Sequence, residues 1–207
     1  MSWKRMRNSL CSNRDEDLFR FFEKELQLLR KQAVKREIDL YFFDEVGFNL
    51  KPNVPYAWQE IGTTSHLPSL RNAATSFTVL GVLNIERQEF DGQLYKGPAN
   101  QNCVLKAIEE LMIKVKSRNK KSVLILDNAS IHTSKIIKSR VEEWRKDGLF
   151  LQFIPAYSPE LNLIEILWKQ LKHFWLQQKH YTSAETLEYA VLNILQNYGK
   201  QYLIDFG

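Results

Sequence analysis

Three carboxylates stand where folding can gather them. Asp44 closes the apolar run 38–44, Asp127 closes the run 122–127, and Glu165 sits just inside a helical pattern that follows Pro155 and Pro159. Carboxylates brought together repel one another and raise each other's pKa values unless a cation neutralises them, so their convergence implies a metal. An all-oxygen ligand set selects a hard cation, here Mg²⁺ with Mn²⁺ as a substitute. Two such ions about 3.5–4 Å apart can activate a water or a 3′-hydroxyl on one side of a phosphodiester and stabilise the leaving oxygen on the other. Neighbouring basic residues would then hold backbone phosphates without regard to sequence. The alternative reading of Glu165 is structural, because Asn162 three residues earlier has the spacing of a capping box.

The elements that must position these groups follow from periodicity. An N-terminal helix is expected from Asp15 to about residue 37, with Leu18, Phe22, Leu26, Leu29 and Ala33 on its buried stripe and acidic residues in its first turn. Residues 38–44 read as a strand buried on both faces. Asp44 and Glu45 are adjacent on it and point to opposite faces, so only one of them looks directly into a site. Residues 48–62 read as an irregular hairpin, and 76–85 and 88–95 as two further strands completing an antiparallel meander. A helix over 100–116, a strand over 122–127, a helix over 133–146 and a strand over 149–154 follow. The Glu165 helix comes next, with Ile164, Trp168, Leu171 and Trp175 as its apolar stripe, and a last helix spans 183–198. The fold class is α/β, a mixed five-stranded sheet with helices on both faces, and ligands of such sheets gather at central strand ends.

Composition narrows the field further. The 207 residues carry 44% hydrophobic side chains and a net charge of +5, enough for one well-packed domain with a mild preference for a polyanionic partner. Cys11 and Cys103 are far apart, which argues against a disulfide framework or a thiolate zinc site. No run approaches the ~18–20 apolar residues of a membrane span, and the basic N-terminus lacks the apolar segment of a signal peptide. A cytoplasmic, nucleoid-associated protein is expected. No P-loop, Gly-rich dinucleotide turn or nucleophile elbow is present.

Three blocks carry a family resemblance: Tyr41-Phe-Phe-Asp-Glu-Val-Gly-Phe48, Leu124-Ile-Leu-Asp-Asn-Ala-Ser-Ile-His-Thr-Ser134 and Tyr157-Ser-Pro-Glu-Leu-Asn-Leu-Ile-Glu-Ile-Leu-Trp168. They resemble the signature blocks of DDE transposases of the mariner superfamily, on its bacterial insertion-sequence branch, over roughly residue 38 to the C-terminus. The resemblance implies a ribonuclease H-like catalytic domain over 38–207, with Asp44, Asp127 and Glu165 as the catalytic, metal-binding triad. It also implies two Mg²⁺ ions, cleavage of double-stranded DNA at transposon ends, strand transfer into target DNA, and a homodimer in the active complex. Leu163 stands where the third block usually has proline. Family members carry paired helix-turn-helix domains ahead of the catalytic domain, and here only Ser2-Trp-Lys-Arg-Met-Arg-Asn-Ser9 resembles the tail of that region, within a basic stretch, residues 1–14, that reads as a linker or a remnant of it. A split or frameshifted element, with an upstream-encoded helix-turn-helix segment, or a truncated copy is the expectation. A catalytically idle remnant that regulates transposition is the alternative, and a junction resolvase on the same fold is a third reading.

Other residues have two readings each. Asn128 and His132 are candidates to orient the attacking water or the scissile phosphate, or are a turn residue and a helix-cap residue. Trp58 is a candidate to stack on a base, or packs within its hairpin. Lys135, Lys138 and Arg140 are candidate phosphate contacts. The basic run Lys114, Lys116, Arg118, Lys120 and Lys121 is read first as a solvated helix end complementing the macrodipole, and second as a DNA contact.

Overall fold

The apolar run after Ile38 becomes the centre of the sheet. The computed structural model describes residues 13–51, 60–62 and 77–206. Strand β1 (Asp39–Phe48) pairs antiparallel with β2 (Phe77–Asn84), which pairs antiparallel with β3 (Glu89–Lys96). On its other side β1 runs parallel to β4 (Ser122–Leu126), and β4 runs parallel to β5 (Leu149–Phe153), giving the order β3-β2-β1-β4-β5. Helices α1 (Glu16–Val34), α2 (Gln101–Arg118), α3 (Lys135–Lys146), α4 (Ile164–Gln170) and α5 (Ala184–Gln196) complete the architecture. The expected hairpin over 48–62 and Trp58 lie largely outside the described residues.

Alternation along β1 divides the interior into two cores. Leu40, Phe42, Val46 and Phe48 join Ile164, Leu167, Trp168, Leu171 and the apolar face of α5 on one side. Tyr41 and Phe43 join Val104, Ile108 and Leu111 of α2 and Ile137 and Trp144 of α3 on the other. A strand covered on both faces needs an uninterrupted apolar run, which is what residues 40–43 supply. The edge strand β3, by contrast, is only partly buried along its length.

Two local expectations are corrected. The Asp15 side chain caps α1 by accepting from the Leu18 N–H at 3.0 Å, yet Leu18 itself is exposed and Phe19 packs inward in its place. The Arg14 guanidinium lies 3.9 Å from the centre of the Phe19 ring, so the first turn is held by a stacked cation as well as by the cap. The second correction concerns β1, which does not stop at Asp44. Its pairing with β4 ends at Phe42–Ile125, whereas pairing with β2 continues to Phe48–Phe77. Asp44 is therefore held rigidly by one neighbour while its other edge opens where β4 runs out.

The basic run at the end of α2 is absorbed within the fold. Lys114 pairs with Asp91, Lys116 with Asp147 at 2.8 Å, and Arg118 with Glu89 at 2.6 Å. Lys120 reaches Asp39 at 3.7 Å, and the Lys121 ammonium lies 4.8 Å from the centre of the Phe150 ring. These partners favour the structural reading of the run.

Candidate active site

Asp44 projects from β1 toward α4 and is 9% exposed. Across the antiparallel ladder its partner is Gly81. A side chain on Gly81 would fall 2.7 Å from the Trp168 ring and 2.6 Å from Phe90, so the bare backbone there lets the indole lie flat on the sheet. Trp168 also meets Phe90 edge to face, with ring centres 5.7 Å apart. So seated, its Nε1–H donates to Asp44 Oδ2 at 3.1 Å. A second bond fixes the start of the same helix: Asn162 Nδ2 donates to the Phe43 carbonyl at 2.9 Å. The capping box that the Asn162–Glu165 spacing offers is not formed: α4 has no side-chain cap hydrogen bond, and the Asn162 N–H that Glu165 would accept from donates to the Pro159 carbonyl. Glu165 is instead free of that role and sits in the first turn of α4, beside the buried stripe Ile164, Leu167 and Trp168.

Asp127 lies one residue beyond β4. Its Oδ1 accepts from the Ala129 N–H at 2.9 Å and from His132 Nδ1 at 2.6 Å. His132 is fully buried, and its Nε2 stands 2.9 Å from Glu45 Oε2. Glu45 thus occupies the opposite face of β1 from Asp44, as strand alternation requires. Asn128 donates from Nδ2 to the Ile154 carbonyl at 2.7 Å, tying the loop after β4 to the end of β5. His132 and the Asn128 amide are therefore turned into the protein. Lys135 and Lys138 are exposed on the first turn of α3, and Arg140 is engaged by Glu109 and Glu143. Trp58 is outside the described residues.

The electrostatics single out Asp44. Burial, together with Glu165, Glu45 and Asp127, pushes its carboxyl up from 3.8 to about 8. Loss of hydration raises Glu165 as well; Lys172 opposes that shift, while Asp127 and Glu45 add to it. Asp127 goes the other way: its own burial is outweighed by the His132 and Ala129 donors, and its pKa is lowered. Burial disfavours charge on His132, yet the Asp127 and Glu45 carboxylates outweigh it and push the imidazole up to about 9.

Lys172 was not singled out from sequence. Burial lowers its pKa, while Glu165 and Asp44 hold it up, so its charge bears directly on both carboxylates. It lies seven residues, two helical turns, after Glu165 on the same side, which is the signal that could have found it. The chain reaches it through a π-type turn over Leu171–Trp175, a local irregularity that helical spacing alone does not disclose.

The donor chemistry fits a divalent cation. Glu165, Glu45 and Asp127 lie close enough to Asp44 to add to the rise of its pKa, all of these donors are oxygens, and burial first, then those neighbours, keeps Asp44 largely protonated. Among the described residues, however, no group of three or more His, Cys, Asp or Glu side chains lies close enough together to hold a metal ion.

A mixed sheet of this order, with Asp44 on its central strand where the pairing with β4 has run out, Asp127 just beyond β4 and helices on both faces, is a ribonuclease H-like α/β domain. Residues 39–188 match the family described as DDE superfamily endonuclease. The insertion element IS630 uncharacterized 39 kDa protein of Shigella sonnei is 28% identical over 157 residues, covering 72% of this chain and 41% of that protein. The uncharacterized protein y4pE/y4sA of Sinorhizobium fredii is 36% identical over 58 residues, 28% of this chain and 38% of that protein. Among solved structures, the Mos1 mariner paired end complex with Mn superposes with a TM-score of 0.67 at 14% identity, over 94% of this chain and 60% of that one. The Mos1 strand transfer complex gives 0.63 at 14% identity, over 97% and 59%. The chain belongs to the DDE superfamily endonuclease family, and its fold is that of the Mos1 mariner structures. It spans less than two thirds of the length of these relatives.

Proposed function

We propose that this chain is the catalytic domain of a DNA transposase that cleaves DNA strands at transposon ends and transfers the freed ends to target DNA. The observation that carries the reading is Asp44, a carboxylate buried at the centre of the sheet, raised to about 8, and surrounded by Glu165, Glu45 and Asp127. A purely structural acid at such a depth takes fixed cationic partners, as Asp39 does at the other end of the same strand.

Asp44 and Asp127 would be the principal ligands of two Mg²⁺ ions, replaceable by Mn²⁺, and Glu165 would complete the second. When bound, such a pair supplies activation of the attacking oxygen and stabilisation of the leaving one. The chain's own contribution is geometric. Trp168 holds Asp44 by one oxygen, the Asn162–Phe43 bond fixes where α4 begins, and α4 thereby aims Glu165. Lys172 supplies a positive charge beside Glu165 and Asp44.

Double-stranded DNA is the proposed substrate, with two copies of the chain pairing two transposon ends and a helix-turn-helix segment, encoded upstream, recognising them. The Mos1 structures, a paired end complex and a strand transfer complex, support that assignment by analogy of fold. Among the described residues no helix is long and apolar enough to cross a membrane.

The test is nicking of a labelled duplex bearing the element's ends, in Mg²⁺ or Mn²⁺, by the wild type and by Asp127→Ala. Metal-dependent product from the wild type alone is expected. Equal signals from both proteins would leave the idle, regulatory remnant as the better account.

A further inference from the structure

The ladder that fixes Asp44 does not reach Asp127. Asp127 belongs to the loop between β4 and α3, and two bonds orient its carboxylate, one local from Ala129 and one from His132. Both fall on Oδ1, and among the described residues no hydrogen bond to Oδ2 is formed. His132 is itself anchored: it is 0% exposed, its ring meets Phe43 edge to face with centres 5.2 Å apart, and its second nitrogen stands 2.9 Å from Glu45 on β1. Two neighbouring residues of β1 thus serve the site from opposite faces, Asp44 by its own carboxylate and Glu45 through a histidine.

We propose that His132 is a positioning residue that ties Asp127 to β1, holding Oδ1 so that Oδ2 is presented to a divalent cation beside Asp44. This rests on the reading of Asp127 as a metal ligand. Partners that orient a ligating side chain from behind typically change metal affinity about 10- to 100-fold when they are removed. Nδ1 is engaged by Asp127 and Nε2 lies within ion-pair distance of Glu45, so the buried ring faces carboxylates inside the protein on both sides. The arrangement also explains why a strand that can turn only one acidic side chain into the site carries two in succession.

The experiment is Mn²⁺ binding to the full chain without DNA, followed by electron paramagnetic resonance, so that no turnover is needed. His132→Ala is expected to weaken binding about 10- to 100-fold. His132→Asn, whose amide N–H reaches the position of Nδ1, is expected to recover most of that loss. His132→Gln, whose amide reaches toward Glu45 and not Asp127, is expected to stay near the alanine value. Unchanged affinity in His132→Ala, or equal affinity in the Asn and Gln variants, overturns the proposal. Should the alanine variant fail to fold, the Asn–Gln comparison decides by itself. Asp127→Asn separates this proposal from the reading beneath it. Wild-type Mn²⁺ affinity in Asp127→Asn removes Asp127 as a ligand. Lost affinity there, with His132 variants unaffected, removes only the positioning role.

Discussion

Asp39 and Asp44 lie on the same strand and are both buried, yet their surroundings are opposite. Asp39 accepts from Arg87 Nε at 3.2 Å and Nη2 at 3.0 Å, with Arg118 at 3.6 Å and Lys120 at 3.7 Å. It is a knot joining the start of β1, the β2–β3 turn and the end of α2. Asp39→Asn leaves those cations short of a counter-charge. Because Arg87 and Arg118 remain partly hydrated, the expected loss is about 1–3 kcal/mol, below the range for a fully buried pair. Denaturant midpoints should fall accordingly, while metal-dependent nicking per folded molecule stays near wild type. Asp44→Asn should do the reverse. The folded-state carboxyl is raised from 3.8 to about 8, so it holds a proton that the unfolded chain releases. The stability it contributes is complete below about pH 4 and is lost as pH rises through about 8. In metal-free buffer, the difference in melting temperature between Asp44→Asn and wild type should therefore grow from pH 5 to pH 8.5 in favour of the variant. At about 2–4 °C per kcal/mol in a chain this size, a shift of several degrees is expected. Nicking should be abolished in the same variant. A pH-independent difference would show that Asp44 is not the strained group.

At the scale of elements, α4 carries the site. It is only seven residues long, too short to be stable by propensity, and it holds its place through Ile164, Leu167 and Trp168 and the two bonds to β1. Gly81 makes the first of these bonds geometrically feasible. Gly81→Ala should cost about 1–3 kcal/mol by overpacking against Trp168 and Phe90. It should also lower Mn²⁺ affinity, because the indole can no longer reach Asp44. Loss of stability with unchanged metal affinity would separate packing from positioning. The case also marks what can be read from sequence and what cannot. The strands, α2, α3, α5 and the acid just beyond β4 are legible because period and punctuation are local properties, whereas the continuation of β1 past Asp44 is set by its pairing with β2. The partner of Asn162 is not legible either, since its local spacing matches a capping box while its actual acceptor, the Phe43 carbonyl, lies 119 residues away in the chain. The role of Asp39 is hidden for the same reason, its cations coming from a turn and a helix end far along the sequence. Trp168 was legible as part of a buried stripe, but its N–H donation to Asp44 depends on the bare surface at Gly81.

On the scale of the whole molecule, the question is where a chain of net charge +5 meets a polyanion. The densest run of positive charge in the sequence, at the end of α2, is neutralised by Asp91, Asp147, Glu89 and Asp39. Charges already paired release few counterions when DNA arrives, so density along the chain is a poor guide to the binding face. Lys135 and Lys138 are placed differently. They are exposed, three residues apart on the first turn of α3, directly after the loop that holds Asp127 and His132, where a helix N-terminus adds its own positive end. A duplex entering the site from the open edge beside Asp44 and Asp127 would pass them. Each phosphate contact contributes about 0.9 to the slope of log affinity against log salt. The double variant Lys135→Ala/Lys138→Ala should therefore flatten that slope by about 1–2, measured by anisotropy of a labelled duplex between roughly 50 and 200 mM KCl. Lys114→Ala/Lys116→Ala should leave the slope unchanged, since those ammonium groups have protein partners in place. The opposite pattern would put the DNA across α2 and away from the acidic cluster, and the site as drawn would then have no route for its substrate.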